Sequence, residues 1–466
     1  MRRDIMKKTI RTMGFLFSFL FIALCLGTAT LFAAGSREHE RVSSGSRTVT
    51  WWHSNSGLRG QATDDLVAAF NATIGQEKGI TVQAVYQGAA TDITTKLRAV
   101  FQSGRAHDLP DIAQVDATGI IDVRASRELV PLNNLAARDG FDLSVIEPAA
   151  LQSLMYKDTI LGMPFNNSTI LLYYNKTAFD EAGLDRAPRT LSEMADYAAK
   201  LTRRKTDGSI ERHGFANVPT TYELVSWIGQ QHVQQNGVSY LTDKRNGHDG
   251  NPTKVVFDEN GTMKTFLTQW RKVWEAGGLA NLTSGLTGEF AAGKVTMIVA
   301  STSNLTTILQ TIDGRFELGV AYFPRVTENS DGGVNIGGGS LMAFDRGLNQ
   351  TDAAWEFIKF ASSAEQQFIW LEKTGYFPVN LGTYDLPETK EFLARNPLFQ
   401  VAIDQLHDSN PALYGLWVPS AYQIYYVFQN GIRDFLENNR DIDATIATLS
   451  KEITTYLDDF NRANPE

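Results

Sequence analysis

The sequence predicts an α/β fold in two lobes with a cleft between them, and three observations carry that expectation. Residues 47–115 alternate strand, helix, strand, helix, strand, the rhythm of a parallel sheet with right-handed crossovers. The chain has 466 residues and 43% hydrophobic content, enough for a sizeable core and too long for one typical domain. The stretch from Pro164 to Lys176 begins as a polar connector and ends in the apolar run Ile170-Leu171-Leu172-Tyr173-Tyr174. A chain leaving one lobe and starting another would read this way.

Residues 1–35 are set aside before fold reasoning. Arg2, Arg3, Lys7, Lys8 and Arg11 form a basic start, Met13 to Leu26 an apolar run, and Ala33-Ala34-Gly35 a small-residue cleavage site. This is a secretory signal pattern, with an apolar run short for a membrane span. An uncleaved anchor is the other reading. The one cysteine, Cys25, lies inside it, so the processed chain would hold no disulfide and no thiol nucleophile. Lipid attachment at Cys25 is the alternative to a free periplasmic protein, although Leu24 stands where that motif wants a small residue. Residues 36–46 read as a tether. The net charge of -9 excludes the basic face that nucleic acid requires.

Arg47 to Trp52 is the first strand, and His53-Ser54-Asn55-Ser56-Gly57 ends it. A helix follows with Leu66, Val67 and Phe70 on one face. Ile80 to Tyr86 is the second strand. A helix carrying Ile93, Leu97, Val100 and Phe101 comes next, then a short strand over Asp111 to Val115. Ligands of such sheets sit at the carboxyl ends of the strands, which places the loops 53–57, 88–92 and 116–119 on the cleft wall. Beyond 176, Thr190 and Glu193 predict a capping box. Tyr222 to Gln231 reads as a helix containing Trp227. Met263 to Ala276 is amphipathic, and its Trp270 and Trp274 read as core. Residues 290–298 pass from helix end to strand, and Ala300 to Asn304 ends that strand at another helix. The run Asn335-Ile336-Gly337-Gly338-Gly339-Ser340 lacks phosphate-loop spacing; its glycines permit a backbone crossing or close approach to a ligand. Helices are predicted over 351–374, 388–395, 421–438 and 441–461. The seven histidines show no metal-ligand spacing, so no metal or cofactor is expected.

Several segments, in order, resemble the extracellular solute-binding proteins of ABC importers. They are Trp52-His53-Ser54, Tyr86-Gln87-Gly88, Pro164 to Thr169 with Tyr173-Tyr174-Asn175-Lys176, Gly293 to Met297, Ala300-Ser301, Ile336-Gly337-Gly338 and Lys373 to Pro378. The resemblance is nearest to the glycerol-3-phosphate-binding branch. It implies a periplasmic-binding-protein-like fold, in which two α/β lobes joined by three crossings close over a small solute. The crossings would fall near 164–169, 285–291 and 334–340. One lobe would combine 47–165 with 291–334, the other 169–288 with 340–466. The implied partners are a small-molecule solute and the membrane subunits of an ABC permease, with the protein acting as a monomer.

Carried over residue by residue, the resemblance nominates Ser168, Ser301, Gly338 and Tyr376 as ligand residues, and Trp227, before Gly229, as a stacking platform. Trp52 and His53 join them at the end of the first strand. Two departures matter. The family's Tyr-Glu or Tyr-Asp after the second strand becomes Ala90-Thr91-Asp92, leaving Asp92. The family's phosphate-binding arginine falls at Trp417 in Gly415-Leu416-Trp417. Losing such a charge-assisted donor in a desolvated cleft costs about 2–5 kcal/mol. With Trp51, Trp52, Trp227, Tyr376, Tyr422 and Tyr425, Trp417 predicts an aromatic cleft suited to a sugar ring or a quaternary ammonium.

Two classes of function follow. The first is a binding module that captures a carbohydrate or glycerol-phosphate-type solute and passes it to a permease. The second is a secreted hydrolase of glycosides or phosphodiesters, which needs paired carboxylates or a nucleophile with its base. No Gly-x-Ser-x-Gly elbow is present, and Asp92, Asp111 and Asp116 bind hydroxyls as readily as they catalyse. The expectation is a binding protein, not an enzyme.

Overall fold

A computed structural model of the chain describes residues 47–217, 240–281, 285–330, 332–410 and 413–464. The segment read as a secretory signal with Cys25, the stretch read as a tether, and the helix expected over 222–231 with Trp227 and Gly229 lie outside these residues.

Strands β1 (Arg47–His53), β2 (Ile80–Tyr86) and β3 (Ile112–Asp116) lie parallel with β1 between the other two. Helices α1 (Leu58–Ala72) and α2 (Ala90–Ser103) make the crossovers. α1 buries Ala62, Leu66 and Phe70, one residue per turn, while Val67 is only partly buried. β4 (Leu129–Val130) and the hairpin of β5 (Met155–Tyr156) with β6 (Thr159–Ile160) lead to β7 (Met163–Ser168). The sequence reads 164–169 as a connector. Residues 164–168 are instead part of a fully buried strand whose amides find partners: Asn167 bonds the Gly337 carbonyl at 3.2 Å, and Asn166 accepts from Gln114 at 2.9 Å.

Thr169 alone separates β7 from β8 (Ile170–Asn175), which belongs to a second sheet. Ile170 and Leu172 of β8 enter one core, and Leu171 and Tyr173 enter another on the opposite face. A strand buried on both faces explains the unbroken apolar run. The chain continues through α3 (Lys176–Glu181), α4 (Leu191–Leu201), β9 (Arg203–Arg204), β10 (Ile210–Asn217), α5 (Thr262–Glu275), β11 (Leu279–Asn281), α6 (Leu286–Ala291), β12 (Val295–Ser301), α7 (Leu305–Ile312) and β13 (Leu318–Tyr322). Trp270 of α5 is buried, and Trp274 packs against the same core. Thr190 caps α4 by accepting the Glu193 N–H at 3.2 Å. The Glu193 carboxylate does not complete the capping box; it accepts from Arg186 and from the Arg189 N–H, each at 2.7 Å. That pairing, with the Arg186 hydrogen bond the larger effect, pulls the Glu193 carboxyl down to about 2.

β14 (Gly337–Phe344) returns to the first sheet, antiparallel to both β3 and β7. α8 (Leu348–Ala361) and α9 (Ala364–Thr374) pack beside it, broken at Ser363, which caps α9. Towards the C-terminus follow α10 (Pro387–Arg395), α11 (Pro397–His407), α12 (Ala421–Glu437) and α13 (Ile442–Ala463). The first sheet therefore runs β2-β1-β3-β14-β4 with β7 on β14, and the second runs β11-β10-β12-β8-β13 with β9 on β10.

This order corrects the expected division of the chain. Segment 291–334, assigned with 47–165, supplies β12 and β13 to the second sheet. The crossing expected near 285–291 is α6, which links β11 to β12 within that sheet, as a crossover helix does between parallel strands. Segment 340–466 is divided: β14, Trp355 and Trp370 sit in the core around Trp51, while α12 and α13 join the core around β8 and α5. Periodicity marks strands but not their neighbours, and the non-local pairings decide membership.

Gly214 of β10 lies against the carbonyl of Ala198 on α4, and a Cβ there would overlap that oxygen. Gly214→Ala is expected to cost roughly 1–3 kcal/mol, read as a lower urea midpoint. An unchanged midpoint would contradict this packing.

Candidate functional site

The first sheet ends its parallel strands at His53, Tyr86 and Asp116. Beyond β3, the Asp116 carboxylate accepts the Thr118 hydroxyl at 2.5 Å and the Thr118 N–H at 3.1 Å. Thr118 in turn stands 3.5 Å from the hydroxyl of Tyr422, which belongs to α12 on the second core. Tyr425, one turn on, meets Tyr422 edge to face at 6.5 Å. Burial pushes the Asp116 carboxyl up, against the pull of its hydrogen bonds from Thr118 and Gly119. Burial and the nearby Asp116 push Tyr422 up to about 12, and the same two causes raise Tyr425. Among the described residues Asp116 forms no ion pair.

A buried amide lattice supports these strand ends. Gln114 donates to Asn55 at 3.2 Å and to Asn166 at 2.9 Å, and accepts the Ser54 N–H at 3.0 Å. It ties the loop after β1 to β3 and β7.

The predicted residues fall into three groups. Ser168, Gly338, Ser301 and Tyr376 come together where the two sheets join. Ser168 pairs with Gly337, and Gly338 with Asn167. Ser301 pairs with Ile170, and the Thr302 N–H bonds the Thr169 carbonyl at 2.8 Å. Gly375, left-handed at φ 81°, closes α9 beside Thr306 and Thr302, and so sets Tyr376 at the seam. Gly338, at φ 92°, would overlap the Asn166 carbonyl if it carried a Cβ. The strands themselves require this glycine. The Ser301 hydroxyl accepts the Ser303 N–H at 3.3 Å.

His53 and Trp52 end β1. His53 is buried, and its Nδ1 accepts the Asn55 N–H at 3.3 Å. Burial, partly offset by Asp64, lowers its pKa, so the ring is neutral. Trp52 is half-buried. Asp92 is exposed and serves α2, accepting the Ala89 N–H at 2.7 Å, although its charge reaches Tyr422.

Trp417 is the correction. It is 1% exposed, and its ring stacks on His248 at 3.6 Å. It fills a core position and offers no open face to a solute. Trp51, Tyr376 and Tyr425 are likewise buried, so among the described residues the expected aromatic wall reduces to Trp52 and Tyr422. Trp227 lies outside those residues. Sequence reasoning placed the loop 116–119 on the cleft wall and read Asp116 as a carboxylate that binds hydroxyls or catalyses, but it nominated neither Asp116 nor Thr118 as a ligand residue and passed over Arg59. Their signal was position: Asp116 ends β3, Thr118 lies in the loop after it, and Arg59 begins the helix that follows β1. Among the described residues no cluster of three acidic, histidine or cysteine groups is placed to hold a metal.

A family model described as bacterial extracellular solute-binding protein matches residues 65–400. The sn-glycerol-3-phosphate-binding periplasmic protein UgpB of Escherichia coli strain K12 is 30% identical over 378 residues, covering 78% of this chain and 81% of that protein. UgpB of Mycobacterium tuberculosis, solved in complex with glycerophosphocholine, superposes with a TM-score of 0.73 at 23% identity, covering 89% of this chain and all of that one. A cyclic alpha-maltosyl-1,6-maltose binding protein from Arthrobacter globiformis gives 0.72 at 21% identity, covering 89% and all of its chain. At those identities the two structures show likeness of fold.

His248 beneath Trp417 yields a pH prediction. Its Nδ1 lies 2.8 Å from the Met155 carbonyl and its Nε2 3.0 Å from the Gly415 carbonyl. Both carbonyls favour N–H and pull the pKa up, but complete burial outweighs them and takes it from 6.5 to about 4. The unfolded chain therefore binds a proton first. Stability is full above pH 6.5 and falls as pH drops towards 4, by roughly 3 kcal/mol. Urea midpoints at neutral and acid pH should fall more for the wild type than for His248→Gln. Equal losses would mean that the two carbonyls hold the ring charged.

Proposed function

The chain belongs to the bacterial extracellular solute-binding proteins, and from that premise we propose that it captures a small hydroxyl-rich solute at the seam between its two sheets. The class is that of its relatives' ligands, sugars and glycerol-phosphate compounds. The protein then delivers the solute to the membrane subunits of an ABC permease, acting as a monomer in the periplasm. It is a binding protein, not an enzyme. The carboxylates a hydrolase would pair have other work: Asp111 accepts the Thr50 N–H at 2.7 Å, and Asp92 serves its helix. Among the described residues no helix is long and apolar enough to cross a membrane.

The observation that carries this reading is Asp116. A carboxylate is held where burial disfavours its charge, with no cation paired to it among the described residues, beside Thr118 and two tyrosines of the other core. Groups kept at such a cost are characteristic of functional sites. Solute hydroxyls or a quaternary ammonium would supply the missing partner, with Tyr422 as the aromatic face. Ser168, Ser301, Tyr376 and Trp52 would complete the site. Closure would turn on the crossings near 164–169 and 334–340, because a solute touching both halves favours the closed state over the open one.

Calorimetry against glycerol-3-phosphate, glycerophosphocholine, maltose and a monosaccharide tests the reading. Binding to at least one is expected, and silence from all four refutes the solute class. Asp116→Asn should weaken that binding roughly 10-fold or more while leaving the urea midpoint at neutral pH unchanged or raised. A raised folded pKa means that the charge costs stability above the unfolded value, and asparagine removes it. A lower midpoint with unchanged affinity would make Asp116 structural.

A further inference from the structure

Two opposite charges at the seam form no ion pair among the described residues. One is Asp116. The other is Arg59, in the first turn of α1, immediately after the loop that ends β1. Its Nη1 donates to the Tyr376 hydroxyl at 3.1 Å, across 317 residues of sequence. That bond fixes the guanidinium over a nominated ligand residue, while the arginine itself stays exposed. Among the described residues no carboxylate reaches Arg59. Of the two acids of the same helix, Asp64 acts on His53, and Asp65 is taken by Lys373 at 2.5 Å. One edge of the fork is thus anchored, and its Nε and Nη2 bond no described residue. The N-terminus of α1 is open too: Gly57 precedes it at φ 59° and provides no side-chain cap.

We propose that Arg59 receives the phosphate of the solute, and that the solute of this chain is a phosphate-bearing glycerol compound. The inference rests on the preceding reading of the seam as the binding site. Anchored guanidinium forks match phosphate oxygens bidentately, and the first-turn amides of a helix add to the same attraction. Arg59 therefore supplies from the first sheet the cation that position 417 lacks. Asp116 and Tyr422 hold the other end, which suits hydroxyls or a cationic head. A neutral sugar would leave Arg59 without an anion.

The test is calorimetry of the whole protein, its Arg59→Gln and its Arg59→Lys variants with glycerophosphocholine, glycerol-3-phosphate and maltose, alongside melting temperatures. The wild type is expected to bind one of the phosphate compounds. Arg59→Gln should lose roughly 10- to 100-fold of that affinity, with Arg59→Lys between the two and melting temperatures unchanged for an exposed side chain. Retained affinity in Arg59→Gln overturns the assignment and leaves the seam as the site. Wild-type binding of maltose alone overturns the phosphate but keeps the solute class. Equal loss of every ligand in Arg59→Gln would mean that Arg59 only supports Tyr376. Binding of none of the three would take the inference down together with its premise.

Discussion

A single residue, Thr169, separates a strand of one sheet from a strand of the other, and the rest of the architecture depends on how its backbone is satisfied. Thr169 is 1% exposed. A buried peptide group without partners costs free energy comparable to a lost hydrogen bond or more. Thr302 answers both needs: its N–H donates to the Thr169 carbonyl at 2.8 Å, and its hydroxyl accepts the Thr169 N–H at 3.2 Å. Thr302 follows directly on the strand that pairs with β8, so the crossing and the second sheet hold each other in register. Any side chain at 168 or 301 is thereby delivered to the junction, whatever the solute.

On the other side of the crossing, β7 pairs with the glycine run of β14. Gly339 faces the amides of Gln114 and Asn166, which a Cβ would crowd at 2.7 to 2.9 Å. The run exists so that two strands and an amide lattice can fit at the end of the sheet. Of the two roles its sequence allowed, backbone approach is the one that its contacts explain. The lattice has a mechanical consequence as well. Gln114, on the strand that ends in Asp116, bonds Ser54 of the loop that leads from β1 into the helix carrying Arg59. Satisfied buried networks rigidify their surroundings, so the two charges are held on one frame.

The legible part of the chain was whatever repeats locally. β1, β2, β3 and their helices follow from alternation and from i, i+4 spacing, and α5 and α12 from amphipathic stripes. Sheet membership was not legible. The run Val295 to Ile298 says that a strand is buried on both faces, and says nothing of which strands flank it. Ser168, Ser301, Gly338 and Tyr376 were nominated because they lie in short ordered motifs, and the fold brings them to one junction. Trp417 was misread because position along the chain cannot show burial. Its stacking partner His248 is presented by a loop in which Lys244, Arg245 and Asn246 all adopt positive φ, and no periodicity announces such a loop.

The seam also bears on closure. Thr118 and Tyr422 already meet across the two halves at 3.5 Å, a distance at the outer limit of a hydrogen bond. So weak a protein–protein contact contributes little to holding the halves together. A solute that bonds Asp116 and Thr118 on one side and stacks on Tyr422 on the other gains contacts present only when both are near. That difference in affinity, not the strength of any one bond, is what shifts the population towards the closed form. The half-buried charge of Asp116 then has a second effect. Unpaired, it disfavours the exclusion of water from the empty seam; paired with a solute, that penalty is relieved. On the proposed reading, one carboxylate would thus discourage closure without solute and favour it with solute.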